Sequence, residues 1–258
     1  MEGVVQYRIF AIFLLLTSSA LYGDIEDLDS MQFNEMNAEP LFVSLGSHCG
    51  PAHMLRFCEK RQAAFPFDWI ISFDGEALIK ILEDDFWEFT NDAYFTPFGP
   101  AGHLLHTYYH LEFLHDGNFN DTQFLASIEL MKSKYQRRIR RFRQIEAYPG
   151  KVFFIRQAFE YSNNDPHRYY KFKENIEISD EYSFRLYEAL KRYFPQLNFC
   201  LIIINHHFDR DTFEIERRLS DHLFVVRENP IKLCEQADCN KFFLELLHSQ
   251  DSSHIEER

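Results

Sequence analysis

Four short runs of nearly continuous apolar residues constrain the fold of this chain more than any other feature. They are LFVSL (41–45), KVFFIR (151–156), FCLIIIN (199–205) and HLFVVR (222–227). Such runs are typical of strands in a parallel sheet that helices bury on both faces. Helical patterns over 124–147 and 180–194 lie between them. The sequence therefore predicts an α/β fold: a mostly parallel sheet with helices on both faces.

The N-terminal residues have the order of a secretory signal peptide. Arg8 precedes the apolar run IFAIFLLL, small residues follow at 17–20, and the chain then turns acidic. We expect cleavage after Ala20 or Gly23, and therefore export to a periplasmic or secreted location with no stable membrane span afterwards. The predicted segments are a signal peptide (1–23), an acidic linker (24–39), a single catalytic-type domain (40–248) and a polar tail (249–258).

The charge of the chain limits the classes of partner that it can bind. With 27 Lys and Arg against 40 Asp and Glu, a net charge of -13 argues against nucleic-acid binding, which needs a cationic surface. One segment, KSKYQRRIRRFR, is basic, and its arginines can contact a phosphate, an anionic glycan or a membrane surface: Arg137, Arg138, Arg140 and Arg141. Alternatively it is an ordinary surface helix that buries its apolar side: Tyr135, Ile139 and Phe142.

Cys49 is the cysteine whose position needs a functional explanation. Cys58 is too far along a helix to pair with it, Cys200 lies inside an apolar strand, and Cys234 and Cys239 can pair across a loop. The segment SLGSHCGP places Cys49 between the first predicted strand and a helix that Pro51 begins. A helix N-terminus lowers a thiol pKa, so Cys49 is a candidate nucleophile, and turn amides can face an oxyanion. The alternative is a tight bend that requires small residues. We expect three neighbours to line or orient this site: Ser47, His48 and Gly50.

Several motifs, taken together, resemble one known family. In chain order they are SLGSHCGPAHML, FPFDWIIS, LEDDFWEF, LEFLHD, YQRRIRRF and KVFFIR. Their order over about residues 41–210 is similar to an uncharacterised family described as putative papain-like cysteine peptidases. The resemblance implies that Cys49 is a nucleophile and that a downstream histidine is the general base. It also implies a papain-like α+β fold, which is the alternative to the α/β fold that the periodicity favours.

Three histidines are candidates for the general base. His115 lies in the LEFLHD motif beside Asp116, which can orient an imidazole or only stabilise a turn. His206 follows Asn205 at the end of an apolar run, where strand ends bind ligands in α/β proteins. His53 follows Cys49 by four residues and shares its helix face. We expect His115 first and His206 second.

Two further groups of residues have a functional and a structural interpretation. Asp68 and Trp69 put a carboxylate beside a large apolar surface, which perturbs a pKa; alternatively Asp68 caps a helix and Trp69 is core. Three histidines would share one face if their segment were helical: His103, His106 and His110. No cysteine or acidic residue stands at a matching spacing, so we expect no metal and no cofactor.

The leading hypothesis is a thiol-dependent hydrolase or acyl transferase acting on a peptide or a small acyl or glycan substrate. In this hypothesis Cys49 reacts with electrophiles well below pH 8. One alternative is a sugar- or nucleotide-processing transferase in which Arg156, Arg227 or the basic helix holds phosphate. Another is an exported binding protein in which Cys49 only packs.

Overall fold

The computed structural model describes residues 39–72, 75–98, 103–116, 124–158, 178–206, 214–228, 242–244 and 246. The predicted signal peptide, nearly all of the predicted linker and the polar tail lie outside these ranges, so these assignments and the export they imply stay predictions. The helices are α1 (Gly50–Phe57), α2 (Gly75–Glu83), α3 (Phe124–Gln144) and α4 (Asp180–Tyr193). The strands are β1 (Leu41–Ser44), β2 (Ile70–Ser72), β3 (Phe95–Phe98), β4 (His103–His106), β5 (Leu111–Phe113), β6 (Val152–Gln157), β7 (Phe199–His206), β8 (Glu214–Ser220) and β9 (Leu223–Glu228).

The four apolar runs form neighbouring parallel strands in one sheet, as predicted. The strand order is β1-β6-β7-β9-β8, and the first four strands run in the same direction. Strand β8 was not predicted, and it pairs antiparallel with β9 at the sheet edge. Its sequence, EIERRLS, carries the charged residues typical of an exposed edge strand and therefore lacks the continuous apolar pattern.

Helices bury this sheet from both sides, which confirms the α/β prediction. One face, which includes Val43 and Phe154, packs with apolar residues of α2, α3 and α4. The opposite face, which includes Phe153, packs with Leu55 of α1 and with Phe243. Successive residues of a strand point to opposite faces, so runs such as VFFI supply two cores at once.

A second, antiparallel sheet was not predicted. Its order is β2-β5-β4-β3, and its strands are only three or four residues long. The segment of His103, His106 and His110 is not helical, so these histidines do not share a helix face: the first two bound strand β4, and His110 lies in the following turn with a φ of 51°. In the described ranges, no group of three or more His, Cys, Asp or Glu residues could hold a metal ion.

The basic segment forms most of α3, and the ordinary-helix interpretation of its apolar side is confirmed. Tyr135 and Phe142 lie in the core. Two of the four arginines proposed for anion contact are also buried: Arg138 lies beside the Tyr135 ring, and Arg141 donates to the carbonyl of Ala64. Those two therefore do not form a surface patch with the others. Across the described residues, no helix combines the length and apolarity that crossing a membrane requires.

Candidate active site

Cys49 lies at the carboxyl edge of the parallel sheet, between β1 and α1. The turn before it is strained: Gly46 and Ser47 have φ values of 69° and 77°. A Cβ on Gly46 would stand 2.7 Å from the carbonyl oxygen of Phe67, so only glycine fits there. Ser47 holds its unusual conformation through two hydrogen bonds, because its hydroxyl donates to the Gln157 carbonyl and its own carbonyl accepts from the Ser72 N–H at 3.1 Å.

The same hydroxyl fixes the tautomer of neutral His48. Ser47 Oγ lies 3.0 Å from His48 Nδ1, and its single proton is already donated to Gln157. His48 Nδ1 must therefore be the donor, which leaves Nε2 as the acceptor nitrogen. The imidazole lies directly against Gly50: a Cβ there would collide with the His48 ring and with Gln157 Oε1. Glycine at position 50 thus lets the β1 turn and the end of β6 meet beside Cys49.

Cys49 is a free, partly buried cysteine at the N-cap of α1. Its backbone is already helical, with φ -73° and ψ -8°, and the His53 N–H donates to its carbonyl at 2.9 Å. The expected low pKa is wrong for this conformation: burial raises the pKa of the thiol, and a backbone N–H hydrogen bond offsets only part of that. In the ranges described, no histidine hydrogen-bonds to the Cys49 sulfur.

His53 and His115 both contact the indole of Trp69. The ring centroid of Trp69 is 4.9 Å from that of His53 and 5.7 Å from that of His115, both in edge contacts. Desolvation is the main cause that lowers the pKa of His53, and the charge of protonated His115 is the second, although part of the His53 side chain is exposed. Desolvation also lowers the pKa of His115. Both imidazoles are therefore neutral at pH 7. Trp69 itself is buried, so its ring is part of the core.

The two predicted carboxylates have structural partners. Asp68 is 2% exposed and pairs with Arg61 at 2.8 Å. It also accepts from the Phe65 N–H at 3.1 Å, so it closes the loop before Trp69 and does not cap a helix. Burial raises the pKa of Asp68, as the sequence interpretation expected of a carboxylate beside apolar surface. Asp116 does not hydrogen-bond to His115, because it accepts from Lys134 and Tyr135 of α3 at 3.0 and 2.8 Å.

The residues at the carboxyl ends of the other parallel strands have different partners. Asn205 is buried, and its side chain hydrogen-bonds to both backbone groups of Ile178, just before α4. Arg227 pairs with Glu216 of β8. His206 ends β7, and its side chain lies outside the described part of the structure. Gln157 lies at the carboxyl end of β6, beside β1, where the polar residues that follow parallel strands converge.

Comparisons with known proteins support the resemblance over part of the chain. Residues 40–99 match a family described as "Putative papain-like cysteine peptidase (DUF1796)". This segment contains Cys49, His53 and Trp69 and ends before His115. The chain is also 27% identical over 144 residues to "Uncharacterized protein R408" of Acanthamoeba polyphaga mimivirus. That alignment spans 48% of this chain and 65% of the viral protein, so it covers less than two thirds of that relative. No solved structure matches the chain.

Proposed function

We propose that this protein is a cysteine-dependent hydrolase or acyl transferase that acts on a peptide-type carbonyl, with Cys49 as its nucleophile. The observation that carries the proposal is the position of Cys49: a free thiol at the first turn of a helix, at the carboxyl edge of a parallel sheet. Ligands of open α/β sheets bind at this edge. The match of residues 40–99 to a peptidase-like family supports the same assignment.

His53 is the proposed proton acceptor. Residues four apart on a helix are neighbours, with Cβ atoms about 5–6 Å apart, and helical side chains point back toward the N-terminus. A side chain at position 53 can therefore reach the turn that holds Cys49. The imidazole is unprotonated at neutral pH and has a free nitrogen for the thiol proton; because desolvation lowers its pKa to about 4 and it is a weak base, the proton transfer is proposed to be concerted with attack of the sulfur. His115, which also contacts Trp69, is neutral at this pH; when it is protonated at lower pH, its charge lowers the pKa of His53.

The proposed reaction has two steps, acylation of Cys49 and then deacylation. The Cys49 sulfur attacks the carbonyl carbon while its proton passes to His53, which then protonates the leaving amine or alcohol. Water or another protic acceptor next attacks the acyl thioester and gives its proton to His53; the carbon–sulfur bond then breaks, the acyl product leaves, and His53 passes that proton to the Cys49 thiolate. Because Pro51 has no N–H and the first intrahelical bond comes from His53, the N–H groups of Gly50 and Ala52 have no partner within the helix. They are the proposed donors to the oxyanion.

The test uses a peptidyl vinyl sulfone, an electrophile that reacts with catalytic thiols. We expect mass spectrometry to find one adduct on folded wild-type protein, on the peptide that contains Cys49. Cys49→Ser should abolish the adduct, whereas the matched control Cys200→Ser should leave it unchanged, since Cys200 is buried within β7. Adducts on other residues, or none on Cys49 in protein shown to be folded by circular dichroism, would contradict the proposal.

A further inference from the structure

Arg156 is a buried cation that is only partly hydrogen-bonded. It lies near the carboxyl end of β6, and 1% of its surface is exposed. Its Nη1 donates to the carbonyl of Leu45 at 2.9 Å, which places the guanidinium under the turn that precedes Cys49. Its Nε and Nη2 atoms are buried and have no hydrogen-bond partner. Within the described residues, no carboxylate forms an ion pair with Arg156.

Nε and Nη2 form the edge of a guanidinium that binds a carboxylate with two parallel hydrogen bonds. Two other arginines of this protein use that edge for an aspartate. Arg61 donates from Nε and Nη2 to Asp68 at 3.1 and 2.8 Å. Arg143 donates from the same two atoms to Asp85, at 2.9 Å to the carboxylate and 2.8 Å to the carbonyl. In Arg156 the corresponding edge is buried but unpaired.

A second polar group without a partner belongs to the same corner of the fold. Ser72 ends β2, and its backbone N–H is bonded to the turn that Arg156 supports. Its hydroxyl is buried and has no hydrogen-bond partner. Burying a charge or a hydroxyl without partners is costly, so both groups point to a ligand atom that satisfies them.

The electrostatic surroundings favour an anion. Helices α2 and α4 lie side by side in the same direction, because Glu76 pairs with Arg185 and Glu83 pairs with Arg192. Their N-termini therefore lie at the same end, and each carries a partial positive charge, which acidic residues of the first turns partly offset: Glu76 in α2, and Asp180 and Glu181 in α4. Asn205 bonds the chain just before α4 to the carboxyl end of β7, next to β6. The N-termini of α2 and α4 thus lie at the carboxyl end of the parallel sheet, the end at which Arg156 lies.

We propose that Arg156 is the binding site for one carboxylate group of a ligand. Arg156 Nε and Nη2 donate to its two oxygens, and the Ser72 hydroxyl donates a third hydrogen bond. A single guanidinium charge matches a single carboxylate charge. The carboxylate can belong to the C-terminus of a peptide or to an acidic side chain. The site does not depend on the thiol chemistry of Cys49.

The test follows the Arg156 Nε–H resonance of the full, ¹⁵N-labelled chain by NMR during titration at constant ionic strength. The resonance is assigned through bonded carbons in the wild-type protein, so the assignment requires no variant. Acetylglycine presents a main-chain carboxylate, and acetyl-aspartyl amide presents a side-chain carboxylate. We expect at least one to give a saturable shift, and the stronger of the two identifies the source of the carboxylate.

Calorimetric titration of variants then tests whether Arg156 and Ser72 bind the carboxylate. Arg156→Lys should weaken binding at least tenfold because lysine lacks the two-nitrogen edge, and Ser72→Ala should weaken it severalfold. Arg143→Lys, the matched control, and Cys49→Ala should bind as the wild type does. Failure of both carboxylates to shift the resonance, equal binding by Arg156→Lys, or saturable binding of inorganic phosphate alone would each overturn the proposal. Carboxylate binding by wild-type protein that forms no vinyl sulfone adduct on Cys49 would support this site while contradicting only the proposed function.

Discussion

Each end of the parallel sheet carries a cysteine that has a histidine close in the chain or in space. Comparing the two cysteines shows that contact with an imidazole alone does not make a thiol a candidate nucleophile. Cys200, near the start of β7, has its sulfur 3.8 Å from His222 Nδ1, yet it is fully buried and its pKa is raised to about 11. Cys49, at the carboxyl edge, lacks such a contact in the described structure but is partly accessible at a helix N-terminus. Access and position therefore identify the candidate nucleophile better than proximity to an imidazole.

The largest expected effect distinguishes the two histidines. His53→Ala should slow the reaction of Cys49 with the vinyl sulfone by 100-fold or more, which is the usual contribution of a general base. His222→Ala, the matched control at the other end of the sheet, should change the rate less than twofold. The measurement is the second-order rate constant of inactivation at pH 7.5. Equal rates for wild type and His53→Ala would remove His53 from the mechanism.

The pH dependence of alkylation should also distinguish the two thiols. Because burial raises the pKa of Cys49 above the ordinary value of about 8.5, the thiolate is a minor species at pH 7. In His53→Ala, where only the thiolate route remains, the rate of Cys49 labelling by iodoacetamide should rise about tenfold per pH unit from pH 6 to 8.5. Buried Cys200 should stay unlabelled in the native protein over this range. A plateau for Cys49 below pH 7.5 would show instead a low-pKa thiolate.

Gly50 should matter more for stability than Ser220, which lies at the end of β8 before His222. Gly50→Ala places a Cβ against the His48 ring and Gln157, so we expect a loss of about 1–3 kcal/mol in the free energy of unfolding. The control is Ser220→Ala, which removes only the exposed acceptor of the His222 N–H and should cost less than about 1 kcal/mol. Urea denaturation measures both. Equal losses would mean that the turn around Cys49 adapts to the added methyl group.

The smallest effect concerns the two histidines that share Trp69. The charge of His115 lowers the pKa of His53, so His115→Ala should raise it by less than one unit. Thr107→Ala, a substitution on the surface away from Trp69, should leave it unchanged. Histidine NMR titration gives both values. A fall in the His53 pKa upon removal of His115 would contradict the proposed arrangement around Trp69.

The sequence predicts the parallel sheet and the position of Cys49 because buried parallel strands and a Pro-initiated helix have strong local patterns. It misses β8 and the antiparallel sheet because a charged edge strand and three-residue strands carry almost no periodic signal. The roles of Asp68 and Asp116 depend on Arg61 and Tyr135, whose proximity arises only from tertiary packing. The raised pKa of Cys49 was missed for the same reason, since burial outweighs the local effect of the helix N-terminus.

The central claim is that Cys49, and not the histidine-contacting Cys200, forms the acyl enzyme. Its most direct test is rapid acid quenching during reaction with p-nitrophenyl acetate, followed by peptide mapping. We predict a transient acetyl thioester on the peptide that contains Cys49, which accumulates in the burst phase and is absent in Cys49→Ser. Acetylation of Cys200, or a burst that survives Cys49→Ser, would contradict the claim.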